Sequence, residues 1–434
     1  MTISINRRRG IAMLLAAAVP LSLAACSSNT VAPASSGAGA DNGTTLTMWV
    51  RSATDNFSTR LVDAYNASHK NKVKLTVIPN DNYLQKVGSA AGANALPDLL
   101  AADVVYAPNY TSKGLFVDIS ARVAKLPYAK QLAPSHLAAG SWEGKLFAVP
   151  HKLDSSVMFY NKDLFTAAGL DPEKPPTNFA EVLKDARAIN ALGGGKYGFN
   201  IGGNCGGCGV YTMFPYAWAG GSDVLSADGK KADFDNAQFR AIFALYKTMW
   251  DEKLAPQNGM TEDGSTWQNS FLAGNVGIFP QGSPIVGDLL KQTKFKWGVT
   301  ALMAPDGSAA STFVGGDVAG ITRSSKNPDA AFDFLQWTLG ETAQVEIIAK
   351  NGDLPGRLDL SGNKYTGSDP RTKLIADGVA KGHTPFALPF GDLFNNPNGP
   401  WVAMMRGAIF GSNPEAAIKE GQAKIQAGLD AVNK

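Results

Sequence analysis

Cysteine is scarce in this 434-residue chain, with three copies at Cys26, Cys205 and Cys208. Histidine is almost as rare: His69, His136, His151 and His383 lie too far apart for the close ligand spacing of a zinc site. No metal is expected, and no cofactor motif appears. Charge is sparse too, 40 basic residues against 37 acidic ones, without a long basic cluster, so nothing draws the chain to nucleic acid. Apolar runs are short. The one from Ile11 to Val19 cannot span a bilayer permanently.

That run nevertheless has a meaning. It follows Arg7, Arg8 and Arg9 and precedes the small residues Leu23-Ala24-Ala25, which together read as an export signal over residues 1–25. Residues 27–42 are rich in Ala, Ser, Gly and Asn and cannot bury enough surface to order themselves, so 26–43 is expected to be a flexible tether. Loss of the leader with its three arginines takes the formal charge of +3 to zero. In an exported chain Cys205-Gly-Gly-Cys208 is expected to close a disulfide that pins a glycine-rich loop. A redox pair of thioredoxin type would need the first cysteine at a helix N-terminus, and the glycines at 202, 203, 206, 207 and 209 argue against a helix there.

About 400 residues are too many for one core, so two lobes are expected. Strand-like residues 44–50, a helical pattern over 55–68, strand 73–78, a helix from Asn80 and strand 98–101 form a βαβ succession, hence a parallel sheet covered on both faces. Ligands bind such sheets beyond the carboxyl ends of the strands, which points to Trp49, Arg51, Asp81, Asn82, Asp103 and Tyr106. Residues 141–162 read as two apolar strands, 146–150 and 157–160, around a polar loop of His151, Lys152, Asp154, Ser155 and Ser156. Polar groups held between buried strands need partners, from the protein or from a ligand. The second half repeats the α/β theme. Trp49, Tyr83, Tyr106, Tyr211, Trp218, Trp267 and Trp401 mostly stand beside Gly, Asn, Asp or Ser at element ends. Rings and carboxylates at strand ends suit the C–H faces and hydroxyls of a carbohydrate, although any one of these rings equally suits core packing.

Several motifs extend the argument. They are the lipobox-like Leu23-Ala-Ala-Cys26; Leu96-Pro-Asp-Leu-Leu with Gly114-Leu115; Gly144-Lys-Leu-Phe-Ala-Val-Pro150 with Phe159-Tyr-Asn-Lys-Asp-Leu-Phe165; Phe271-Leu-Ala-Gly274; and Gly316-Asp-Val-Ala-Gly-Ile321 with Ser325-Lys-Asn-Pro-Asp-Ala-Ala331. Across nearly all of the mature chain they resemble the extracellular solute-binding lipoproteins of carbohydrate ABC importers, the broad family of the maltose-binding proteins. The resemblance implies an α/β clamshell of two lobes, 44–153 with 305–352 and 154–304 with 353–434, crossed more than once at the hinge. It implies a lipid on Cys26, an extracytoplasmic place on the membrane and a monomer that delivers a sugar to the permease subunits of the importer. Asp103 and Asp154 are then hydroxyl acceptors, Tyr211, Trp218 and Trp401 stacking rings, and Arg357 a donor. Trp49, Asp81, Gly282, Gly316 and Asp317 complete the expected ligand set. Ala102 and Ser283-Pro284 depart from the family's stacking tryptophans, which favours a small or differently stacked sugar. Catalysis is not expected, since no carboxylate pair sits in an acid/base context. A glycerophosphodiester or polyol stays open as an alternative solute, because Arg51, Lys152 and Arg357 would serve a phosphate.

Overall fold

The computed structural model describes residues 39–432, save Thr293 and the side chain of Asp81. The expected signal, Cys26 and most of the expected tether lie outside the described residues. The last tether residues are tied down: Ala40 donates its amide to the Asp329 carbonyl, and Asp41 accepts the amides of Lys70 and Asn71. The Asn71 side-chain oxygen in turn accepts the amides of Asn42, Gly43 and Thr44.

One eight-stranded sheet organises the described chain. Its strands are β1 (Thr45–Arg51), β2 (Lys72–Ile78), β3 (Leu99–Asp103), β4 (Ala148–Asn161), β5 (Tyr197–Phe199), β6 (Val276–Gly282), β7 (Trp297–Thr300) and β8 (Val314–Ile321). β1 pairs in parallel with β2 and β3, and β8 lies antiparallel between β3 and β4. On the other side β4 pairs antiparallel with β6 and β7, and β5 runs parallel to β6. The result is two mainly parallel half-sheets, each flanked by helices and joined through β4: a two-lobed α/β fold.

β4 departs from the sequence reading. The two strands and polar loop expected over 146–160 are one continuous strand of 14 residues. Residues 148–155 of it pair with β8, whereas 156–161 pair with β6 and β7. Two further links join the halves nearby, the chain from β7 to β8 and a bridge between Leu153 and Leu354.

Alternation places Leu46, Met48 and Val50 of β1 on one face, packed with Val62 and Tyr65 of helix α1 (Asp55–Ser68). Trp49 and Arg51 point to the other, below helix α2 (Asn80–Gly92). In the second half, helix α3 (Gly206–Ala219) is apolar nearly all round and is buried accordingly. Its Phe214 packs with Phe239 from helix α4 (Ala237–Asp251), with Phe234 and Phe394, and with Trp401 from helix α5 (Pro400–Phe410).

A candidate ligand-binding cleft

The carboxyl end of β1 delivers Arg51, that of β3 delivers Asp103, and the middle of β4 delivers Asp154. β8 supplies Asp317, paired in register with Asp103 on one side and with Lys152 on the other. Arg51 Nη1 lies 3.0 Å from Asp103 Oδ2. The same guanidinium meets both oxygens of Asp317, through Nη2 and through Nε at 3.4 Å. Asp317 is fully buried, and the Arg51 and Asp103 side chains are only 15% and 20% exposed. Burial works against the Arg51 charge, but Asp103 and Asp317 outweigh it and hold its pKa above the ordinary value. Burial raises the Asp103 carboxyl to about 6, against the pull of Arg51 and with the push of Asp317.

From the second half, Tyr211 on α3 donates its hydroxyl to Asp154 Oδ1. This approach needs bare backbone on either side. A Cβ on Gly315 would stand 2.6 Å from Asp154 Oδ1 and 2.7 Å from the Tyr211 ring, and one on Gly282 would stand 2.7 Å from the same ring. Gly316 has φ +111°, a conformation that glycine tolerates and side chains rarely do. Burial raises the Asp154 carboxyl, opposed by Lys152 and by the Tyr211 hydrogen bond. The wall continues from Tyr211 to Phe313, with ring centroids 4.8 Å apart, to Trp218 at 6.0 Å and to His383, stacked on Trp218 at 5.0 Å. Across the cleft Asn395 donates its side-chain amide to the Tyr106 hydroxyl at 2.7 Å.

Comparison with known proteins places this arrangement. The model of the bacterial extracellular solute-binding proteins matches residues 60–371, a span that includes Asp103, Asp154, Tyr211 and Asp317. The chain belongs to that family. Among its relatives, a binding protein of Brucella abortus is 26% identical over 359 residues, covering 81% of this chain and 84% of the relative. The diacetylchitobiose binding protein DasA of Streptomyces coelicolor is 24% identical over 427 residues, covering 95% of this chain and 97% of its own. In structure, the GacH receptor of Streptomyces glaucescens, solved unliganded and with acarbose, aligns at a TM-score of 0.77 and 23% identity, over 90% of this chain and 99% of that one.

The solute-binding fold brings Asp103, Asp154, Asp317, Tyr211, Gly282 and Gly316 together, with Trp218 further along the wall. Four expected ligand residues sit elsewhere. Trp401 is completely buried, with its Nε1 donating to the Gly206 carbonyl at 3.1 Å, so it is core and not a stacking surface. Arg357 pairs with Asp359 and lies over the Tyr128 ring at 4.5 Å, which occupies its guanidinium. Trp49 shares a face with Arg51 but stands two residues back along β1 under α2, where Lys86 caps its ring at 5.0 Å. Asp81 falls in the first turn of α2.

The cleft also holds residues that sequence reasoning did not place in the ligand set. Arg51 is the hub of the carboxylates, and its signal was its position at a strand end. Phe313 and His383 carried no signal of their own, because long connections bring them to Trp218. The disulfide between Cys205 and Cys208 is present, but its setting corrects the expectation of a loop: Cys205 is the N-cap of α3. A cavity of about 220 Å³ near Ser283, Leu290, Asp353 and Tyr365 lies outside this cluster.

Proposed function

We propose that the chain is the sugar-capturing component of an ABC importer, taking a mono- or small oligosaccharide between its lobes and presenting it to the membrane permease. The observation that carries this reading is the convergence of Asp103, Asp154, Asp317 and Arg51 with the Tyr211–Phe313–Trp218 wall, drawn from both half-sheets. Carboxylates and a guanidinium match sugar hydroxyls, and the rings match the C–H faces. No bond is made or broken. Ligand binding favours the closed population, which the permease distinguishes from the open one. In this reading Cys26 carries the lipid anchor, the mature chain acts as a monomer, and the lobes are 44–153 with 305–352 and 154–304 with 353–434.

A phosphodiester is the weaker candidate. Of the cations that would serve it, Arg51 is held by two carboxylates, Lys152 faces Asp353 at 3.9 Å, and Arg357 is paired with Asp359. The test is calorimetric titration of the purified protein with mono- and disaccharides, amino sugars, polyols and glycerophosphodiesters. Saturable binding of a carbohydrate is expected, weakened by roughly 2–4 kcal/mol in Asp154→Ala because ligand hydroxyls lose a charged acceptor in a closed cleft. Binding of a phosphodiester alone or hydrolysis of the sugar would overturn the assignment, and full affinity in a folded Asp154→Ala protein would remove Asp154 from the site.

A further inference from the structure

The first turn of α3 is made of Gly206, Gly207, Cys208 and Gly209. Three glycines in one turn make a poor helix start, since glycine gives up the most backbone freedom on folding. The turn is nevertheless well placed. Cys205 caps it through Sγ, which accepts the Cys208 amide at 3.0 Å, and the disulfide closes the same turn covalently. Gly206 and Gly209 press so closely on Phe394, Trp401 and Met405 that a Cβ at either would clash. Tyr211 stands on the following turn, three residues beyond Cys208, and reaches Asp154 from there.

We propose that the Cys205–Cys208 disulfide is a reducible clasp that positions Tyr211, so that the sugar affinity of the cleft falls when a dithiol reduces it. The affinity part rests on the sugar-binding reading above. Cys205 is half-buried and Cys208 is 7% exposed, so Cys205, the less buried of the two, is the sulfur that the thiolate attacks in this proposal. The S–S bond breaks, its electron pair leaves on Cys208 Sγ, which takes up a proton, and a mixed disulfide forms on Cys205. The second thiol of the reductant then attacks its own sulfur in that bond and releases Cys205 as a thiolate beside the Cys208 amide. Two electrons pass to the protein, and the dithiol leaves as a cyclic disulfide. The freed Gly-Gly turn frays, and the Tyr211 hydroxyl loses its fixed distance to Asp154.

Two readouts test the clasp, on the oxidised protein, on the protein reduced with dithiothreitol and on Cys205→Ser/Cys208→Ser. In the ligand-free protein, hydrogen exchange over residues 206–213 is expected to quicken about tenfold on reduction, with no matching change in α4. Unchanged exchange at 206–213 overturns the proposal whatever the sugar result. For the carbohydrate that binds in the titration panel, reduction is expected to weaken binding roughly three- to tenfold in the native protein and not at all in Tyr211→Phe. An equal loss in both backgrounds, or none in the native protein, shows that the disulfide does not act through Tyr211. A panel silent in every form sinks the sugar reading, and the exchange result alone then decides whether the clasp exists.

Discussion

Replacing Arg51 by methionine isolates the electrostatic centre of the cleft. The substitution keeps a flexible apolar stem and removes the group that bonds both oxygens of Asp317 and one of Asp103. Asp317 has no exposed surface on which to recruit water, and the second carboxylate remains beside it. Removing one partner of a buried ion pair typically costs about 3–5 kcal/mol, because the other charge stays desolvated without compensation. Arg51→Met should therefore destabilise the ligand-free protein by about that amount, measured by urea unfolding at pH 7 and followed by tryptophan fluorescence. Adding Asp317→Asn to Arg51→Met should restore part of the loss, since the stranded charge is gone, whereas Asp317→Asn alone should destabilise. A loss below about 1 kcal/mol for Arg51→Met, or a double variant no more stable than the single one, would refute the view of this triad as a mutually compensated buried unit.

Gly315→Ala should weaken sugar binding by about tenfold, because its Cβ would displace the Asp154–Tyr211 hydrogen bond; calorimetric titration checks this, and unchanged affinity would show that the contact is dispensable. Stability should fall as pH is lowered from about 6.5 to 4. Burial holds both His136 and His151 down at about 4, so the unfolded chain binds protons in that window that the folded one refuses, at a cost of up to about 3 kcal/mol each. Asp103 acts in the opposite sense: raised to about 6, it contributes stability that is present below pH 4 and lost as pH rises through 6. His151→Gln should accordingly flatten the dependence of unfolding free energy on pH, and Asp103→Asn should steepen it; the reverse order in urea titrations would contradict these assignments.

The lobe architecture was legible because its signals are local. The βαβ rhythm from Thr45 to Asp103 follows from hydrophobic periodicity, and carboxyl strand ends mark a binding edge in any such sheet. Asp103 was placed at that edge for this reason, whereas Asp154 and Tyr211 entered the expected set only through the resemblance. Trp401 was not legible, because a tryptophan beside Gly399-Pro400 looks the same in sequence whether it lines a cleft or fills a core. Only the ring cluster of Phe214, Phe234, Phe239 and Phe243 around it decides. The start of α3 was missed for a different reason. Glycine-rich sequence argues against helix by propensity, and here the N-cap sulfur, the disulfide and packing against α5 override that weak preference.

The polar residues in the middle of β4 carry the remaining step. Asp154, Ser155 and Ser156 looked like a loop because strands buried on both faces are usually apolar throughout. Yet this is where the strand exchanges β8 for β6, and a backbone that changes partners leaves donors and acceptors outside the regular ladder. Short hydroxyl side chains satisfy them. The Ser155 amide donates to Ser283 Oγ at 3.1 Å, the Ser156 hydroxyl accepts the Phe313 amide at 2.9 Å, and Thr312 donates its hydroxyl to the Ser156 carbonyl at 2.7 Å. The polarity that suggested a break in the strand is what allows the strand to continue from one half-sheet to the other. It also accounts for the position of Asp154, which pairs with Gly315 of β8 two residues before Ser156 takes up β6.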